Sequence, residues 1–164
     1  MPNSSISSRA EQDDYHFVLK RNMRKDIEFG CMNEKLIRTD TLGNNLKLEL
    51  YDASRKIAGG RWLVSLVAKI DIPINDSILP IDGEPDTDII EIRKALGESV
   101  CFKLTRNRNF IAATQKEATL QDLIESFLSI SSSYLSHKDF PKKFIAKEYK
   151  KHLKMKSWYT DPGT

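Results

Sequence analysis

Apolar side chains alternate with polar ones along two long segments in the middle of the chain. Leu46, Leu48 and Leu50 alternate with polar neighbours, and residues 62–74 are apolar at every second position. A period of two is typical of half-buried strands, so these segments predict a long antiparallel hairpin. The second segment is longer than an average strand, which predicts a bend or bulge within it or an end that projects past its partners, and Pro73 suits its end. The inward row of this strand is expected to be Trp62, Val64, Leu66, Ala68 and Ile70.

Shorter segments with the same alternation flank this hairpin. They predict further strands over 15–23, 27–31, 36–42 and 100–104. The composition Gly-Asn-Asn at 43–45 predicts a turn, because these residues tolerate left-handed backbone. Residues 106–109 are rich in arginine and asparagine, and we expect them to form a turn that leads into a short final strand over 110–113.

A short helix is predicted after an acidic, proline-containing loop at 75–88. It begins near Thr87, and Asp88 and Glu91 fit its first turn. Gly97 is a natural C-terminal stop, because glycine adopts the left-handed conformation without strain. One face of this helix is apolar and carries Ile89, Ile92 and Leu96.

Two longer helices are predicted in the last third of the chain. The first covers 119–135, where Thr119 and Asp122 form an N-terminal capping signature. Its apolar stripe, which we expect to pack on the sheet, consists of Leu120, Leu123, Ile124, Phe127, Leu128, Tyr134 and Leu135. The second has Pro141 in its first turn. Its apolar side carries Phe144, Ile145, Tyr149 and Leu153.

The order of elements, strands first and helices last, predicts the α+β class. We expect an antiparallel β-barrel or a strongly curved sheet, with the C-terminal helices packed on it. Residues 15–156 are interpreted as a single domain of ordinary size. The polar, serine-rich segment 1–14 is predicted to be a flexible arm, and 157–164 a C-terminal tail.

Composition narrows the class of protein further. The 164 residues include 26 basic and 23 acidic side chains, so the net charge of +3 does not by itself indicate a nucleic-acid-binding protein. Two cysteines are too few for a disulfide framework. No apolar run approaches the roughly 20 residues of a membrane-spanning helix. We therefore expect a cytoplasmic protein without a membrane partner.

Motifs for catalysis are missing from the sequence. Three histidines are present, and neither a nucleophile elbow nor a glycine-rich phosphate loop occurs. His137 and Asp139 resemble half of a metal site, but no neighbouring ligands complete a set of about four. The sequence thus predicts a non-enzymatic binding or interaction module of unknown ligand, without metal or cofactor.

Charge is unevenly distributed along the chain. The segment 71–91 holds seven acidic residues and no basic one, whereas 138–156 holds eight lysines and two acidic residues. Lysines near Tyr149, Trp158 and Tyr159 suggest a nucleic-acid surface, because ammonium groups neutralise phosphates and aromatic rings stack on bases. The nearly balanced total charge favours instead a solvated face attracted to the acidic segment. A protein partner stays open as a further alternative.

One set of residues resembles the ligand motif of the PilZ-domain family. Arg21 and Arg24 precede Asp52 and Ser54, and Gly59 follows. Two residues separate the arginines where the family has three, and four separate Ser54 from Gly59 where the family has two. The resemblance implies a β-barrel that binds cyclic di-GMP. Arg21 and Arg24 would then clamp its phosphates, and Asp52 and Ser54 would bond guanine edges.

Overall fold

The computed structural model describes residues 34–79 and 87–160, which form an antiparallel sheet and three helices. The strands are β1 (Lys35–Thr41), β2 (Lys47–Asp52), β3 (Arg55–Lys56), β4 (Trp62–Pro73) and β5 (Ser99–Ile111). The helices are α1 (Ile89–Leu96), α2 (Lys116–Leu135) and α3 (Phe140–Thr160). The predicted α+β class and the C-terminal position of the two long helices are confirmed.

The sheet has the order β1–β2–β4–β5, and every pairing is antiparallel. The two-residue strand β3 pairs with the first residues of β4. Among the described strands, β1 pairs only with β2 and β5 only with β4. These strands therefore form an open sheet, and the predicted closure into a barrel is not confirmed.

The central strand β4 contributes five buried residues to the core from one face. Val64, Leu66, Ala68 and Ile70 are at most 1 % exposed, and Trp62 is half-buried against the same core. The strand pairs with β2 on one side and with β5 on the other, which confirms the predicted hairpin. Its pairing with β5 shifts register between Trp62 and Val64, where two steps along β4 match three steps along β5, so the extra residue of this bulge lies on β5 rather than on β4. Pro73 is its last residue, as predicted.

The prediction of a turn at 106–109 is wrong. Residues 99–111 form one continuous strand, in which Asn107 pairs with Ser65 and Arg108 with Val64. The long central strand offers backbone partners along this whole segment, and these ladder hydrogen bonds override the local preference of arginine and asparagine for a turn. The only left-handed residue of the strand is Phe110, with a φ of 59° next to the register shift.

The short helix α1 has the ends that the sequence predicts. The Asp88 carboxylate accepts a hydrogen bond from the Ile90 backbone N–H, which satisfies one of the free donors of the first turn. Gly97 ends the helix with a φ of 92°. Ile92 is fully buried on the inner side.

The second helix, α2, packs against β4 with the predicted apolar stripe. The buried residues of this stripe are Leu120, Leu123, Ile124, Phe127 and Leu135. Its predicted start is wrong, because the helix begins at Lys116 rather than after Thr119. A 3-10 turn over Ala113–Gln115 leads directly into it, so no side-chain cap is needed at the predicted position. Tyr134, expected in the stripe, is 58 % exposed.

The third helix, α3, begins at Phe140 and has Pro141 in its first turn, as predicted. Ile145 and Tyr149 are buried on its inner side. Phe140 and Phe144 each pack edge-on against Phe102 of β5, with ring centroids 5.7 and 5.5 Å apart. The helix extends to Thr160, into the segment predicted as a tail. None of the helices in the described ranges is long and apolar enough to cross a membrane.

Several predictions concern residues outside the described ranges. They are the arm over 1–14, the strands over 15–23 and 27–31, and residues 80–86 of the acidic loop between β4 and α1. Arg21 and Arg24 also lie outside the described residues. The strand predicted over 36–42 and the turn at 43–45 are confirmed, and Asn45 has the left-handed φ of 66° that such a turn requires.

Replacement of Leu66 by alanine tests the inward face of β4. Leu66 is 1 % exposed at the centre of the sheet, and its truncation leaves a cavity that the paired strands cannot close. We expect Leu66→Ala to lower the free energy of unfolding by about 2–5 kcal/mol. Leu36→Ala is the control, because Leu36 on the edge strand is 49 % exposed. A loss of about 1 kcal/mol or less is expected there. Equal losses in urea unfolding of the two variants would contradict the assigned facing.

Candidate functional site

Asp52 and Ser54 lie in the connection between β2 and β3, where both side chains hold the backbone in place. Asp52 Oδ1 accepts a hydrogen bond from the Ser54 backbone N–H at 2.8 Å. Ser54 Oγ accepts one from the Ser65 N–H at 3.1 Å, and the Ala53 N–H donates to the Ser65 carbonyl at 2.9 Å. These bonds tie the connection to the middle of β4.

Asp52 also pairs with the first residue of α2. Lys116 Nζ lies 3.4 Å from Asp52 Oδ2 and 4.8 Å from the centroid of the Trp62 ring. The Asp52 and Lys116 side chains are only 15 % and 20 % exposed. A lysine at a helix N-terminus is unfavourable next to the helix dipole, and the Asp52 carboxylate compensates for it. The pair thus joins β2, β4 and α2.

The pKa values of the two groups reflect this pairing. Burial alone would raise the pKa of Asp52, but hydrogen bonds from Ser54 and the charge of Lys116 outweigh it and lower the pKa below its ordinary value. Burial likewise would lower the pKa of Lys116, but the opposing charge of Asp52, together with the hydrogen bond and charge of Glu117, raises it instead. Both groups are therefore held in their charged forms at neutral pH.

The chemistry open to this cluster is limited by these contacts. Both Asp52 oxygens and the Ser54 hydroxyl accept hydrogen bonds within the chain. These contacts explain Asp52 and Ser54 as a structural link between β2, β4 and α2. A role in a PilZ-like nucleotide site with Arg21 and Arg24 stays a prediction, because the arginines lie outside the described residues.

A second candidate site is the outer face of α3. Five exposed lysines follow one another along this face at intervals of four, three, one and three residues. With 3.6 residues per turn they fall within an arc of about 100°. We call them the basic stripe: Lys143, Lys147, Lys150, Lys151 and Lys154. The stripe runs along about 16 Å of the helix.

Packing fixes the direction in which the basic stripe points. Ile145, Ala146 and Tyr149 are at most 8 % exposed and lie on the opposite side of the helix. The apolar side of α3 is thus fixed against the protein, and the lysines are held toward solvent. Glu148 is the only acidic residue of the helix, and its Oε2 lies 4.0 Å from the Lys151 Nζ.

An aromatic residue continues the basic stripe toward the end of the chain. Trp158 follows Lys154 by four residues and is 69 % exposed. The Lys154 Nζ lies 5.6 Å from the centroid of the Trp158 ring, within the range of a cation–π contact. Tyr159, next along the helix, is 72 % exposed. This end of the helix therefore presents cationic and aromatic groups side by side.

His137 and Asp139, considered above as half of a metal site, belong to the connection between α2 and α3. The Asp139 backbone N–H donates to His137 Nδ1 at 3.2 Å, and the two side chains lie 3.7 Å apart. This contact closes the turn that precedes α3. Within residues 34–79 and 87–160, no three side chains of the metal-ligating types converge on one point.

Comparison with known proteins yields no relative: no family model, no curated protein and no solved structure matches this chain.

The sequence indicated the lysine-rich helix by its composition alone. It gave no sign of the link between Asp52 and Lys116, which are 64 positions apart. Only the fold brings the end of β2 to the start of α2.

The charged pair predicts a specific dependence of stability on pH. Asp52→Asn removes the charge that compensates Lys116 and should lower the free energy of unfolding by about 1–3 kcal/mol at neutral pH. Because the pKa of Asp52 is lowered by folding, its stabilisation is present above the unfolded pKa of about 3.9 and is lost as the pH falls through the folded value. The deficit of the variant should therefore shrink below about pH 4 in urea titrations.

Glu117→Gln is the matched control. Glu117 also contacts the Lys116 Nζ, at 3.3 Å, but its side chain is 83 % exposed. We expect a change within about 0.5 kcal/mol, as is usual for an exposed ion pair. A deficit of Asp52→Asn that does not change between pH 7 and pH 3 would contradict the electrostatic origin of the effect.

Proposed function

We propose that this chain is a non-enzymatic binding module whose basic stripe receives the phosphate backbone of a single-stranded nucleic acid. The observation that carries this proposal is the alignment of five exposed lysines on the side of α3 opposite its buried residues. The amino-acid composition alone favoured a solvated helix face. Composition gives the number of lysines, but it does not show that their side chains point in the same direction.

The division of charge within the chain supports a polyanionic partner. Helix α3 contains seven lysines and one glutamate, so its formal charge is +6. The rest of the chain then holds 19 basic and 22 acidic residues, a charge of −3, since the totals are 26 and 23. The small net charge of the whole chain conceals a strongly basic helix on an acidic remainder.

Repulsion between the lysines of the basic stripe also favours a polyanionic partner. Lysines three or four residues apart on a helix are neighbours, and each like-charge pair costs about 0.2–0.5 kcal/mol. The stripe contains five such pairs, and the helix has a single glutamate to offset them. A solvated helix face usually interleaves both signs of charge. A row of phosphates would remove this repulsion and release its own counterions.

Two further features favour nucleic acid over a membrane surface. An amphipathic helix binds membranes by burying its apolar face in lipid, whereas the apolar face of α3 is already buried in the protein. Trp158 lies in line with the lysines and is exposed, which suits stacking on an unpaired base. Bases of a duplex are already stacked on each other, so this contact favours single strands.

Titration of the chain with oligonucleotides tests the basic stripe. We expect single-stranded 15-mers to bind with a dissociation constant in roughly the micromolar range at low salt, with little dependence on sequence. Neutralising four stripe lysines together, each to glutamine, should weaken binding at least about tenfold, because four phosphate contacts are lost. These positions are Lys147, Lys150, Lys151 and Lys154.

A control variant carries the same change in net charge on other surfaces of the protein. Four exposed lysines serve for this: Lys35, Lys47, Lys56 and Lys94. Binding by the control should stay within about threefold of wild type. Equal losses in both variants would mean that only the total charge matters, and the proposal would fail. An acidic poly-glutamate chain that binds as tightly as the oligonucleotide would instead indicate a protein partner.

Trp158→Leu separates stacking from charge. Base–aromatic stacking contributes about 1–3 kcal/mol per base, so the variant should bind single strands roughly tenfold more weakly. Its affinity for duplex of the same length should not change, because a duplex offers no unpaired base. An equal loss for both forms would show that Trp158 acts only through the local structure of the helix.

A further inference from the structure

A second, independent site lies at one corner of the sheet. An open cleft of about 380 Å³ is lined by the turn between β1 and β2, the end of β4 with the following 3-10 turn, and the start of α3. This volume lies at the lower end of the range usual for small-molecule sites. We call it the corner cavity.

The inner part of the corner cavity is apolar. Ile72 and Ile78 line it but are at most 2 % exposed, so the accessible apolar floor comes from the half-buried Leu46 and Pro141 and from the exposed Pro73. Such a surface favours a compact apolar group of a ligand, because binding removes apolar area of both partners from water.

The walls of the corner cavity are held by hydrogen bonds across the fold. The Asn44 side-chain Nδ2 donates to the carbonyls of Leu135 at 2.8 Å and His137 at 3.1 Å. Its Oδ1 accepts from the Leu46 N–H at 3.3 Å. These bonds dock the turn between β1 and β2 on the connection between α2 and α3. The shape of the cavity is therefore fixed by hydrogen bonds between separate elements rather than by one loop alone.

The opening of the corner cavity is polar and basic. Asn75 accepts hydrogen bonds from the backbone N–H and the hydroxyl of Ser77, which leaves its amide Nδ2 available as a donor. Lys138 and Lys142 also line the cavity. Neither ammonium forms an ion pair with any residue in the described part of the chain, and none of the lining residues there is acidic.

We propose that the corner cavity binds a small organic anion, a phosphate or carboxylate attached to a compact apolar group. The ammonium groups of Lys138 and Lys142 and the Asn75 amide would hold the anionic end, and the apolar floor of Leu46, Pro73 and Pro141 would hold the apolar end. Lys142 lies about 100° around α3 from Lys143, the adjacent stripe lysine, and no stripe lysine lines the cavity, so this site does not require the basic stripe.

Four probe molecules distinguish binding through the anionic group from binding through the apolar group. Phenyl phosphate and benzoate carry both an anion and a ring, inorganic phosphate carries only the charge, and phenol carries only the ring. Amide chemical shifts of the folded chain report on binding at Asn45, Asn75 and Lys142. We expect at least one of the aromatic anions to saturate these shifts in roughly the millimolar range, as is usual for a fragment. Phenol and inorganic phosphate should bind at least about tenfold more weakly.

Paired variants locate the site. The double variant Lys138→Gln/Lys142→Gln should weaken the better aromatic anion at least about tenfold. The double variant Lys150→Gln/Lys154→Gln makes the same change in charge on the basic stripe and should leave the affinity within about twofold. Both changes lie on exposed or half-exposed side chains, so the fold should tolerate them.

Three results would overturn the proposal. Inorganic phosphate that binds as tightly as both aromatic anions would mean that the apolar floor is not used. An unchanged affinity in the Lys138/Lys142 variant would place the anion elsewhere. Shifts confined to the basic stripe, or absent for all probes, would show that the corner cavity takes no such ligand. Failure of the corner cavity to bind these probes would leave the oligonucleotide test of the basic stripe unaffected.

Discussion

The fold depends on the central position of β4. This strand is hydrogen-bonded along its length to β5 on one side and to β2 and β3 on the other. Its inner row is almost fully buried, so a shift of one residue would turn the whole apolar set toward solvent. The register of β4 therefore fixes its neighbours. The same strand anchors the Asp52 connection through Ser65 and lines the corner cavity at Ile72 and Pro73.

Packing on the inner face of the sheet decides what α3 presents to solvent. The two long helices bury their apolar sides, and the phenylalanines of α3 contact Phe102 of β5. Once Ile145 and Tyr149 are buried, the period of the helix leaves the lysines on the outside. The proposed binding surface is thus a consequence of the core. Charge supplies the chemistry of that surface, and packing supplies its direction.

Patterns of neighbouring residues correctly predicted the elements that depend only on nearby residues. The hairpin of β2 and β4 follows from alternation, and α1 follows from Asp88 and Gly97 at its ends. Distant partners decided the rest. Residues 106–109 join β5 because β4 lies beside them, and α2 starts at Lys116, where Asp52 compensates its charge. The corner cavity depends on Asn44 and its acceptors, which are 91 and 93 positions away, and no pattern along the chain encodes that contact.

The most direct test of the binding surface is the salt dependence of affinity for a single-stranded oligonucleotide. If five lysines each neutralise one phosphate, the logarithm of the binding constant should fall with the logarithm of salt concentration with a slope of about −3.5. A variant with four stripe lysines replaced by glutamine should show a slope closer to about −0.7. The same slope in both proteins, or a slope near zero in wild type, would contradict the account.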